Sequence, residues 1–202
     1  MKKLTLVLIV LAAVAAPAVA GTLTIKAVPS TLQAGVPGEV QVEYWVEGFP
    51  AVGGIEVIPT FKLNGADASS PFDVKEDPLS NVFRDGTGQT FAITHNAALW
   101  PNIIGFVSMD RAMLGFLGIL SGDQPCIEPT WMMTITYEYS QLAVGTYIVD
   151  MGPTATGLVY GNGQVAQKTI VPASFTVVPE PATLALLGVG LAGILIRRRK
   201  ML

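Results

Sequence analysis

Glu39-Val40-Gln41-Val42-Glu43-Tyr44-Trp45-Val46-Glu47 alternates apolar and polar residues along its length. A strand turns successive side chains to opposite faces, so Val40, Val42, Tyr44 and Val46 share one side while Glu39, Gln41, Glu43, Trp45 and Glu47 share the other. The pattern predicts a strand with one core face and one wet face.

The same period recurs on both sides of this stretch. Upstream, Leu23, Ile25 and Ala27 alternate with Thr24 and Lys26 until Pro29-Ser30 breaks the run, and Gly35-Val36-Pro37-Gly38 reads as a turn. Downstream, Ile55, Val57, Phe61 and Leu63 alternate with Glu56, Thr60 and Lys62, and Pro59 marks an edge position or a bulge. Residues 64–82, polar and rich in Asp, Ser and Pro, read as a long surface excursion. Asp85-Gly86, ahead of Phe91, Ala92 and Ile93, is a hairpin turn or a loop. Trp131, Met133, Ile135, Tyr137 and Tyr139 alternate with Met132, Thr134, Thr136 and Glu138, predicting another half-buried strand. Tyr147, Val149 and Met151 follow Gly145, Gly161-Asn162-Gly163 carries a tight-hairpin signal, and Phe175 and Val177 close the domain.

The run 103–120 is strongly apolar but holds Asp110 and Arg111 at its middle. Each central charge costs about 2.5–3.5 kcal/mol in a membrane helix, while Leu or Ile returns only about 0.3–0.6, so a span is excluded. A buried strand at 103–109 followed by a short helix or irregular segment is expected instead. Short strands, turns built on Gly, Pro and Asn, and no convincing amphipathic helix point to an all-β fold, an antiparallel β-sandwich. The order of features, with residues 39–47 followed by Gly54-Ile55-Glu56 and later 134–139, Gly145-Thr146-Tyr147 and Phe175-Thr176-Val177, resembles a cohesin-like sandwich. That resemblance implies a nine-stranded jelly-roll-like fold and does not imply dockerin binding, because sandwiches host many functions.

Both ends of the chain read differently from this middle. Lys2-Lys3, an apolar stretch at 4–16 and Ala18-Val19-Ala20 before Gly21 form a secretory signal peptide over 1–20, with Ala18 and Ala20 setting the cleavage site. At the other end Val178-Pro179-Glu180-Pro181 precedes an apolar run at 182–196, followed by Arg197, Arg198, Arg199 and Lys200. As a helix that run spans about 22 Å against a hydrocarbon core of about 30 Å, a marginal transmembrane anchor. The cations stay on the cytoplasmic side of the inner membrane as a stop cluster, which leaves the domain at 21–178 outside, in agreement with the signal peptide.

Motif, apolar helix and Arg cluster, in that order, resemble the PEP-CTERM sorting signal of bacterial exported proteins, over residues 179–202. The resemblance implies recognition and cutting by an exosortase, a membrane-embedded cysteine protease, near Pro179, Glu180 and Pro181, which are then substrate residues and not catalysts. It implies a protein held in the membrane at least transiently and then passed to the cell surface or extracellular matrix.

Charge and chemistry narrow the role of the middle. Residues 21–178 hold six Lys or Arg and fourteen of the fifteen acids, near −8 where the whole chain sums to −3. This disfavours nucleic acid and anionic lipid as partners and allows divalent cations or neutral polysaccharide. The one cysteine, Cys126, rules out an intrachain disulfide and reads as a small buried apolar residue. His95, the one histidine, falls on the face of Phe91 and Ile93 and reads as the edge of a packed face. Glu43 and Glu47 lie about 13 Å apart along one strand, too far for a glycosidase pair on that strand alone. Asp67, Asp73, Glu76 and Asp77 lack the spacing of a calcium loop and read as solvated. No cofactor is expected and no catalytic set emerges. Trp45, between Glu43 and Glu47 on the wet face, is the candidate ligand contact, since an exposed indole stacks on a sugar ring or a partner surface. Two readings follow: a non-enzymatic exported surface protein, or a carbohydrate-binding module contacting extracellular polysaccharide through Trp45. A hydrolase is a distant third.

Overall fold

The computed structural model describes residues 21–69, 71–78, 83–84, 89–98, 105–106, 124–151, 157–159, 165–180 and 189. In chain order the strands among them are β1 (Gly21–Val28), β2 (Thr31–Gln33), β3 (Gly38–Glu47), β4 (Phe49–Val52), β5 (Gly54–Glu56), β6 (Pro59–Leu63), β7 (Ala66–Asp67), β8 (Phe72–Val74), β9 (Phe83–Arg84), β10 (Ile93–His95), β11 (Gly105–Phe106), β12 (Gln124–Cys126), β13 (Thr130–Tyr139), β14 (Gly145–Met151), β15 (Gly157–Val159), β16 (Lys168–Val171) and β17 (Ala173–Val178). One sheet runs β10-β13-β3-β1-β16 with β8 also on β13, and the other runs β2-β17-β14-β6-β7. The pairs β9–β11, β4–β12 and β5–β15 lie outside both.

The period-two reading of 39–47 holds. Val40, Val42 and Tyr44 are fully buried and Val46 nearly so, while Glu39, Gln41 and Glu47 are exposed. β3 pairs antiparallel with β1 on one side (Leu23 opposite Val46, Ile25 opposite Tyr44) and with β13 on the other (Ile135 opposite Val42, Tyr137 opposite Val40). The sandwich is not wholly antiparallel: β1–β16 and β2–β17 are parallel pairs within its sheets, and β9–β11 is a parallel pair outside them. Parallel neighbours need a crossover, which for β1–β16 and β2–β17 is supplied by the strands of both sheets that lie between them in sequence.

Between the sheets the core is aromatic. Phe61 of β6 stacks on Phe72 of β8 with ring centroids 3.9 Å apart and meets Tyr137 of β13 edge-on at 5.1 Å. Tyr147 and Phe175 stack at 5.1 Å, and Phe72 touches both. Tyr44 and Tyr137 are buried with no hydrogen-bond partner for either hydroxyl among the described residues, and burial pushes both phenols well above their ordinary value.

Several expectations are corrected here. Trp131 does not join the core face: the register steps from Trp131 opposite Trp45 to Met133 opposite Tyr44, a β-bulge. The extra residue buries Met132 together with Met133 and turns Trp131 to the outer face. Residues 64–82 are not merely a surface excursion, for they contain β7 and β8, and Phe72 is a core residue. The stretch opens on a tight hairpin at Asn64 (φ 53°) and Gly65 (φ 83°), with Leu63 opposite Ala66, the left-handed pair that a two-residue turn requires. Buried Ser69 fastens it: its hydroxyl accepts from the Phe61 amide at 3.1 Å and donates to Asp67 Oδ1 at 2.7 Å. Pro59 opens β6 opposite Met151, where β7, paired only at Lys62 and Leu63, does not reach, so its outer side is unpaired and it takes the expected edge position. Ile55 and Phe61 belong to separate strands, with β5 pairing β15.

Of the expected strand at 103–109 only Gly105–Phe106 is described, paired with β9. Asp85-Gly86, Gly161-Asn162-Gly163, the signal segment 1–20 and, apart from Val189, the apolar run 182–196 lie outside the described residues. Among the described residues no helix is long and apolar enough to cross a membrane.

Because Phe72 is 2% exposed and stacked on Phe61, Phe72→Ala is expected to cost about 3–5 kcal/mol in denaturant unfolding. A loss under about 1 kcal/mol would return the segment to the surface.

Candidate functional site

Two places gather the residues that the sequence singled out: the end of the sandwich where the chain leaves it, and the outer face of the sheet centred on β3.

At the exit, β17 is held on both sides. It pairs with β14 (Gly145 opposite Val177) and, parallel, with β2 (Val178 opposite Gln33). Phe175 and Val177 are buried, Val178 is half-buried, and Pro179 and Glu180 are exposed. The Ala34 amide donates to the Val178 carbonyl at 2.9 Å, so the sheet's hydrogen bonding runs to the peptide just before Pro179. Gly35, at φ +73°, turns the chain beside it, and a methyl group there would sit 3.3 Å from Oε1 of Glu180. Glu180 therefore lies against the turn between β2 and β3. Pro181, Arg197, Arg198, Arg199 and Lys200, like Ala18 and Ala20, lie outside the described residues.

On the outer face, Trp45 of β3 is half-buried and fully engaged. Its indole N–H donates to Glu43 Oε2 at 2.9 Å, and Lys26 Nζ of the neighbouring β1 lies 4.0 Å from its ring centroid. Trp131, brought opposite Trp45 by the bulge, donates its own N–H to Thr134 Oγ1 at 3.0 Å. Alternation alone hides this indole pair, because it places Trp131 on the core face. A match of aromatic positions across neighbouring strands is the signal that would have raised it.

Glu39, Glu138 and Asp73 are successive cross-strand partners on β3, β13 and β8 and line a groove of about 440 Å³ with Pro37, Pro71 and Tyr139. Lys75 Nζ donates to Glu39 Oε1 at 2.6 Å, and that carboxylate raises the lysine's pKa. Of the loop acids, Asp67 accepts from Ser69, which lowers its pKa, while Asp77 is bonded through its backbone to Thr90. Among the described residues no group of three or more His, Cys, Asp or Glu is placed to hold a metal ion. His95 is half-buried at the end of β10, beside buried Ile93. Cys126 is buried as expected, and burial pushes its thiol up against the opposing effect of a hydrogen bond with Thr130.

Comparison with known proteins bears on the exit and on the fold. A family signature described as the PEP-CTERM protein-sorting motif matches residues 177–200, beginning inside β17. No curated protein matches the sequence. Among solved structures, a chain of the CaDoc0917–CaCohA2 complex superposes at TM-score 0.52 and 13% identity, covering 78% of this chain and 99% of that one. The seventh ScaB type I cohesin of Pseudobacteroides cellulosolvens gives 0.45 at 14%, covering 79% and 94%, and the sixth cohesin of scaffoldin B from Acetivibrio cellulolyticus gives 0.46 at 12%, covering 79% and 99%. At such identities the first of these shows a shared fold and nothing of a ligand. The chain carries a PEP-CTERM sorting motif behind a cohesin-like ectodomain.

Proposed function

We propose that this is a non-enzymatic exported protein whose sandwich, residues 21–178, works as a binding module at the cell surface or in the extracellular matrix. The signal peptide at 1–20 is removed after Ala20. The tail at 179–202 is held in the inner membrane by the helix at 182–196 and the cluster Arg197-Arg198-Arg199-Lys200, and is cut near Pro179-Glu180-Pro181 by an exosortase. The observation that carries this reading is the sorting-motif match over 177–200 placed directly behind a folded all-β domain. A protein partner is the leading choice for the module, supported by the cohesin-like fold.

Mass spectrometry of the C-terminal peptide, after fractionation of the native host, tests the sorting reading. Mature protein ending near Pro181 is expected; mature protein that still carries Arg197 to Leu202 would overturn it.

A second reading, an extracellular polysaccharide ligand, is favoured by the Trp45–Trp131 pair. One face of Trp45 is covered by Lys26, so a stacking sugar has to displace the ammonium or use the neighbouring indole. Lys26→Ala is then expected to tighten glycan binding and Trp45→Ala combined with Trp131→Ala to abolish it, read by affinity electrophoresis in polysaccharide gels. Retention unchanged in both variants removes the carbohydrate reading.

A further inference from the structure

The sorting motif and the folded domain overlap. The matched span begins at Val177, a fully buried residue of β17, and takes in Val178, whose carbonyl is bonded to Ala34. Three residues, Pro179 to Pro181, separate that carbonyl from the apolar run, a reach of about 10 Å fully extended. Two of the three are prolines, which fix φ and stiffen the tether.

A protease reads its substrate as an extended chain on both sides of the bond it cuts. Here the upstream side is already spoken for: Val177 fills the core, and the backbone around Val178 is paired with β2 on one side and, through Val177, with β14 on the other. Glu180 lies against Gly35, so the described part of the motif rests on the turn between β2 and β3. Only a chain released from this turn presents the motif and its upstream residues together.

We propose that the end of β17 gates processing. The tail becomes a full substrate when the Val178–Ala34 clasp opens and the last residues of β17 peel from β2, so the stability of that corner sets the cutting rate. This rests on the reading that the tail is a processing substrate. It adds that the folded domain slows its own release from the membrane. It also assigns the turn at 34–37 to the side of the sandwich that faces the processing enzyme.

The test is a pulse-chase in the native host with the full-length chain and two variants, following loss of the tail. A Gly-Gly-Ser-Gly insertion between Val178 and Pro179 frees the motif while leaving every sandwich residue in place, and is expected to be cut several-fold faster. Ala34→Pro, which removes the donor to Val178, is expected to speed cutting as well. Equal rates for the native chain and the spacer variant overturn the gate while leaving the processing reading intact. If neither chain loses its tail, the processing reading itself fails and the gate falls with it.

Discussion

Strand β3 is hydrogen-bonded along both edges, to β1 and to β13, and that double pairing is the constraint on which the rest of the sandwich depends. A one-residue slip would carry Glu39, Gln41, Glu43 and Glu47 into the core and Val40, Val42, Tyr44 and Val46 into water. Burying unpaired carboxylates costs far more than any realignment of neighbours returns, so the register has one solution. β1 and β13 inherit it residue by residue, and Tyr137, placed opposite Val40, becomes the surface on which Phe61 of the other sheet lands. Phe72 then fills the space beside Phe61 and touches Tyr147 and Phe175, which joins β8 to the far sheet.

What the sequence revealed follows from the same physics. A half-buried strand writes its faces into the chain as a period of two, and 39–47 was legible for that reason, as were Tyr147, Val149 and Met151 and the closing Phe175 and Val177. Trp131 was misread because a bulge is set by the partner strand: nothing in residues 130–139 alone says that two of them will face one residue of β3. Phe72 was hidden because one aromatic in a polar stretch has no period to betray it. Asn64-Gly65 did carry its signal, the left-handed pair of a tight hairpin, and was absorbed into the loop around it. The site divides in the same way. The sorting motif is linear and readable, whereas its docking on Ala34 and Gly35 joins opposite ends of the domain and needs the fold to be seen.

The two expected cleavage points both lie flush with strands. Gly21 opens β1 and is buried, so close to the Phe49 ring that a methyl group there would collide with it, and Val178 closes β17. At the carboxyl-terminal end the matched motif and the closing strand share Val177 and Val178, so completion of the sandwich and the proposed presentation of the tail are competing uses of the same residues.

The central claim is that the sandwich stays closed up to Val178. Native-state hydrogen exchange at the Ala34 amide tests it most directly, because that N–H has the Val178 carbonyl as its acceptor. The account predicts protection of the same order as the Thr176 amide, which donates to Ser30 within the same strand pair. Exchange at Ala34 as fast as in an unstructured peptide would mean that the corner is already open, and would contradict the account.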